Sequence, residues 1–217
     1  SALFAYGAKE LLVTSTVEEA LHLKTTLPDA MLYGERGGVP PAGFDCGNSP
    51  AEAFHSRGKQ VIFTTTTGAC RLIQAWGSNP VLMASTINTS SVVQYLCQKK
   101  VQETVIVPAG LMDAPNFNAQ EDWAASAHIA MQLCNCLTGQ NAPFWGNGYE
   151  RFIEYRSRIE TEGLNYLFST APHAEKLRAI GKENDILQCA QIDVYDALPM
   201  AVEKNTFGVT VRNACCT

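Results

Sequence analysis

Short aliphatic and β-branched runs alternate with amphipathic stretches through the first half of this chain, and that alternation restricts its fold more than any other feature. Residues 10–15 (ELLVTS), 30–33, 60–66 (QVIFTTT), 81–84 and 103–107 (ETVIV) predict strands. Residues 16–24, 69–76 and 89–98 predict the intervening helices, the first opened by Thr16 with Glu19 at capping-box spacing. Elements in this order bury both faces of a sheet. The fold class expected is therefore α/β, with a largely parallel or mixed sheet covered on both faces. Ligands of such sheets collect at the carboxyl ends of parallel strands, which directs attention to the loops after Tyr33, Thr66, Ala84 and Val107.

The second half is richer in helix. Apolar residues at spacings of three and four predict helices over 121–137, 148–163 and 171–180, a further one over 185–193, and late strands over 200–202 and 207–212. Gly7 marks the stop of a short opening helix. With no repeat, low-complexity tract or linker, one domain over 1–217 is expected, and 141–147 (NAPFWGN) is its likeliest break. A formal charge of −5 argues against a nucleic-acid or anionic-membrane surface, while leaving room for a local pocket that meets a small anion with a few placed groups. No apolar run approaches the roughly 20 residues of a membrane span, so a cytoplasmic protein is expected, with a homo-oligomer left open. The eight cysteines fit neither a small disulfide scaffold nor a CxxC zinc site, so free thiols are expected, with Cys215 and Cys216 as a redox candidate at the tail.

Chemistry is concentrated in residues 34–50, GERGGVPPAGFDCGNSP. Glycines there let backbone N–H groups approach a ligand, while Glu35 and Asp45 supply the oxygen donors that Mg²⁺ takes. Arg36 can fork onto a phosphate or sulfonate, or simply pair with an acid. Asn48 and Ser49 before Pro50 read equally as a helix cap and as an anion-binding helix start. Thr64 to Gly68 hold the strand-end position that binds phosphate, without the lysine of a P-loop. Asn118 and Glu121 fit a capping box, and Asp122 suits the first turn of a helix. The four histidines show no metal spacing, and each reads as surface or core. Cys46 beside Asp45 is a thiol-nucleophile alternative, although an adjacent carboxylate raises a thiol's pKa.

Taken together, GER with its glycines, GFDCGNSPAE, VIFTTTTGA, the Glu121-Asp122 pair and HAEKLRAIGKENDILQCA resemble, in order and over most of the chain, the 2-phosphosulfolactate phosphatase family. The resemblance implies an α/β fold of three layers, α/β/α, with a mixed sheet, and Mg²⁺-dependent hydrolysis of a small anionic phosphorylated substrate within coenzyme M biosynthesis. It makes Glu35, Asp45 and Asp122 catalytic candidates, and Asp45, Glu121 and Asp122 metal candidates. Arg36, Asn48, Ser49, Thr66, Gly68 and Asn88 become candidates for holding substrate. The chain departs from the family pattern at Thr67, Gly68 and Ala69, where Asn then Gly-Thr is usual, and at Ala125 to Ala127, where a Cys-Ala-Gly run is common. The family also begins with a strand carrying an Asp and an Arg ahead of the helix that ends near Gly7, so that strand is expected upstream of Ser1. The departures motivate a second expectation, a non-catalytic member that binds a ligand or assembles.

Overall fold

Side-chain alternation in the strands builds the first unit, Ser1–Met83 with Tyr195–Thr217. In the computed structural model, which describes residues 1–110, 118–138, 146 and 148–214, β1 (Glu10–Thr14) sends Leu11 and Val13 to one face of a sheet and Leu12 to the other. β2 (Met31–Gly34) and β3 (Gln60–Thr64) run parallel within the same sheet, while β4 (Pro199–Lys204) and β5 (Gly208–Asn213) add an antiparallel pair beside β1. The five strands lie in the order β2-β3-β1-β5-β4.

On one face, Phe4 of α1 (Ala2–Ala5) and Ala69 and Leu72 of α3 (Gly68–Ala75) join Leu11, Val13, Val61 and Val211. On the other, Ala20 and Leu23 of α2 (Val17–Thr26) cover Leu12, Leu32 and Ile62. The expected three layers and mixed sheet are therefore present. The Thr16 capping box forms as read: the Thr16 hydroxyl accepts from the Glu19 N–H at 3.1 Å, and the Glu19 carboxylate accepts from the Thr16 N–H at 3.0 Å.

The second unit, Ala84–Val194, is helical among its described residues. It holds α4 (Thr89–Gln98), α5 (Gln120–Thr138), α6 (Tyr149–Glu162), α7 (Leu164–Ser169), α8 (Pro172–Ala179) and α9 (Glu183–Cys189). Ala124, Ala127 and Ala130 form a small-residue face on α5 at i, i+3 and i+6, and pack with Phe152 and Tyr155 of α6 and Leu164 and Leu167 of α7.

Several expectations need correction. Residues 81–84 form no strand: Leu82 makes one antiparallel bridge to Met200, flanked by bonds from Ala201 N–H to the Val81 carbonyl and from Met83 N–H to the Pro199 carbonyl. Pro80 removes a donor at the start of that segment, and pairing ends after a few residues. Residues 103–107 are not a strand either; Val105 is 77% exposed and Val107 is exposed, and only Ile106 packs against a core, that of the second unit, so the run lacks the pleated, half-buried surface that strand preference depends on. The loops after Ala84 and Val107 consequently do not follow parallel strands. Cys97 of α4 and Cys136 of α5 are joined in a disulfide, not free, since packing of the two helices puts their Cα atoms 6.6 Å apart. The suggested break at 141–147 falls outside the described residues except for Gly146, and Cys215 and Cys216 lie outside them too.

Gly34 ends β2 opposite Thr64, and a Cβ there would sit 2.2 Å from the Thr64 carbonyl oxygen. Because the obstacle is backbone, Gly34→Ala should destabilise by about 3 kcal/mol through forced separation of β2 from β3. A urea midpoint unchanged from the parent would show that this close approach is dispensable.

Candidate functional site

Three parallel strands bring the glycine-rich loop and the threonine run to one end of the sheet in the first unit. There Glu35 accepts from the Thr66 N–H at 2.8 Å and, through its other oxygen, from the Gly38 N–H at 3.0 Å. Burial alone would push this carboxyl up, but those backbone donors, the Thr66 hydroxyl and the Arg36 charge outweigh it and hold Glu35 below the usual range. Arg36 donates to the Glu35 carbonyl at 2.6 Å, to the Thr64 hydroxyl at 3.1 Å and to the Ser15 carbonyl at 3.4 Å. The pair thus ties the loop to the ends of β1 and β3. Thr66 is exposed beside it, and Gly68 is the first residue of α3.

Asp45 does not join them. Its carboxylate accepts from the Leu32 N–H at 2.7 Å, on the edge strand β2, and pairs with Lys24 at 3.9 Å. Leu32 lies three residues before Glu35, or about 10 Å at roughly 3.3 Å per residue. Asp45 therefore occupies the open N–H of an edge strand. Ser49 forms the helix cap: its hydroxyl accepts from the Ala51 N–H at 3.2 Å at the start of a short 3₁₀ turn, Pro50–Ser56. Asn48 beside it is exposed. Cys46 is buried, and burial first, then Glu52 and Asp45, push its thiol up despite the Tyr33 hydroxyl, which disfavours a thiolate nucleophile.

In the second unit, the first turn of α5 carries Glu121 and Asp122. Glu121 Oε1 pairs with Nδ1 of His173, the second residue of α8, while Glu121 Oε2 is buried with no hydrogen-bond partner among the described residues. Burial, reinforced by the Glu121 charge and partly opposed by His173, pushes the Asp122 carboxyl up to about 7. The Glu121 hydrogen bond raises His173 against the effect of its burial. An unsatisfied buried carboxylate oxygen beside a second carboxylate is costly unless a cation or a proton meets it.

The capping box expected at Asn118 and Glu121 does not form: the Glu121 carboxylate is engaged by His173, and the Asn118 side-chain oxygen accepts from the Tyr155 hydroxyl at 3.3 Å. Asn88 is fully buried, and its side-chain oxygen accepts from both the N–H and the hydroxyl of Ser85, at 2.9 and 2.8 Å. His173 was missed as a functional residue because its partner is 52 positions away; the one usable signal was its place in HAEKLR. Among the described residues, no group of three or more His, Cys, Asp and Glu side chains is arranged to hold a metal ion. Glu121 and Asp122 nevertheless fit Mg²⁺, which binds through one or two carboxylates and keeps several waters.

The family model described as "2-phosphosulpholactate phosphatase" matches residues 1–204. The chain belongs to this family. A relative in Carboxydothermus hydrogenoformans, named "Probable 2-phosphosulfolactate phosphatase", is 30% identical over 195 residues, 90% of this chain and 77% of its own. Relatives of the same name in Thermotoga maritima and Thermosynechococcus vestitus are 31% and 33% identical, over 90% and 91% of this chain and 80% and 82% of theirs. The match to the 2-phosphosulfolactate phosphatase family spans both the glycine-rich loop and the Glu121-Asp122 pair. No helix among the described residues is long and apolar enough to cross a membrane.

Proposed function

We propose that this protein is a Mg²⁺-dependent phosphatase that hydrolyses 2-phosphosulfolactate, or a related small anionic phosphomonoester, to the hydroxy acid and phosphate. Such a reaction would suit coenzyme M biosynthesis. The observation that carries the reading is the buried Glu121 Oε2, without a hydrogen-bond partner among the described residues, beside an Asp122 carboxyl pushed up to about 7. Glu121 and Asp122 would hold the ion, which when bound supplies neutralisation of charge on the phosphoryl oxygens. His173 holds Glu121 through Oε1 and so leaves Oε2 directed to a ligand. With its carboxyl pushed up to about 7, Asp122 is protonated in only part of the metal-free molecules at neutral pH, and it would give up that proton when a cation takes that place.

Phosphate release from 2-phosphosulfolactate and from an aryl phosphate, by full-length protein with Mg²⁺ or with chelator, tests the proposal. Turnover of the sulfonated ester that falls at least about 100-fold on chelation is expected. Absence of metal-dependent release from either ester would leave the second reading, a family member that binds a ligand or assembles without catalysis. That reading is favoured by the engagement of Glu35, Arg36, Asp45 and Asn88 in internal hydrogen bonds.

A further inference from the structure

Gln120, the residue before Glu121, is only 5% exposed and opens α5. Its Nε2 donates to the Leu167 carbonyl at 2.7 Å and to the Thr170 hydroxyl at 2.9 Å, and its Oε1 accepts from Arg158 Nη1 at 3.1 Å. The partners fix the orientation of the amide without ambiguity. A carbonyl can only accept, a guanidinium can only donate, and the Thr170 hydroxyl already gives its hydrogen to the Tyr166 carbonyl at 2.8 Å. Arg158 is itself held: Glu162 receives it at 2.7 and 3.0 Å, and its guanidinium lies 5.4 Å from the Tyr155 ring centroid.

We infer that Gln120 is a positioning residue that sets the Glu121–His173 pair, and the inference rests on the phosphatase reading. The clamp joins the two pieces of chain that carry the halves of that pair. On one side it is adjacent to Glu121; on the other it grips Thr170, three residues before His173, where Ala171 caps α8 and Pro172 begins it. Turning the amide away would leave buried donors and acceptors unmatched at three points, so the first turn of α5 and the start of α8 keep one separation. Gln120 reaches no reacting atom by its own side chain. Its effect passes through the carboxylate that follows it, and holds Glu121 Oε2 in place before a ligand arrives.

Three variants test this in the full chain. Gln120→Met keeps size and removes all three bonds, Thr170→Ser keeps the hydroxyl, and Leu164→Ala removes core packing in the same unit without touching the clamp. Gln120→Met is expected to lower kcat about 10- to 100-fold with KM nearly unchanged, to weaken Mg²⁺ binding about tenfold by calorimetry, and to speed exchange of the Ala174 amide hydrogen. Thr170→Ser should retain parent values for all three. Leu164→Ala should lower Tm while keeping parent kcat. If losses of kcat simply follow losses of Tm across the set, or if Gln120→Met keeps parent Mg²⁺ affinity and Ala174 exchange, Gln120 is no positioning residue. A parent protein without metal-dependent turnover overturns the phosphatase reading instead, and amide exchange then decides the clamp alone.

Discussion

In metal-free buffer at pH 8, Asp122→Asn is expected to unfold at a higher temperature than the parent, by roughly 10 °C. The Asp122 carboxyl rises from an ordinary 3.8 to about 7 on folding, chiefly through burial. A raised acid pKa contributes stability that is complete below the unfolded value and is lost as pH climbs through the folded one. At pH 8 the parent therefore holds an ionised, poorly solvated carboxylate, at a cost of about 4 kcal/mol by linkage, and asparagine avoids the charge. At pH 4 the two proteins should melt together. Saturating Mg²⁺ should raise the parent's melting temperature at pH 8 and leave that of the variant nearly still, because a ligand that binds only the folded state stabilises it. Thermal melts over this pH range, with and without the ion, check the whole pattern. Equal melting temperatures at pH 8 would show that Asp122 is solvated.

Gly110→Ala should damage the same centre from the other side. A Cβ at Gly110 would lie 2.2 Å from the Ala119 Cβ and 3.0 Å from Asp122 Oδ2. The first contact is far inside van der Waals separation, so the 110 backbone or the start of α5 must shift, at about 1–3 kcal/mol. The second puts the displacement onto the Asp122 carboxylate. A shift near 1 Å in a positioned group is worth about 100-fold in rate, so phosphate release should fall by that order while most of the protein stays folded. Circular dichroism beside the phosphate assay separates the two effects. Full activity in folded Gly110→Ala would mean that Asp122 can move without consequence.

Local physics made much of the fold readable. The run ELLVT alternates faces because strand side chains have period two, and Leu12 duly meets α2 while Leu11 and Val13 meet the opposite layer. The Thr16 box was equally local. ETVIV misled because strand preference describes fit to neighbours, and among the described residues no strand pairs with 103–107. At the site the limit was range. Asp45 looks like a ligand in sequence, and in the fold its carboxylate accepts from an edge-strand N–H thirteen residues earlier, apart from Glu35. His173 and Gln120 have partners 38 to 52 positions distant, which no spacing rule reaches.

The most direct test of the centre on α5 is phosphate release from 2-phosphosulfolactate by the parent and by Asp122→Asn, side by side at saturating Mg²⁺. Parent turnover that is abolished by chelator, and reduced at least about 100-fold in a variant that remains folded, is the predicted result. Turnover by Asp122→Asn within twofold of the parent would contradict it.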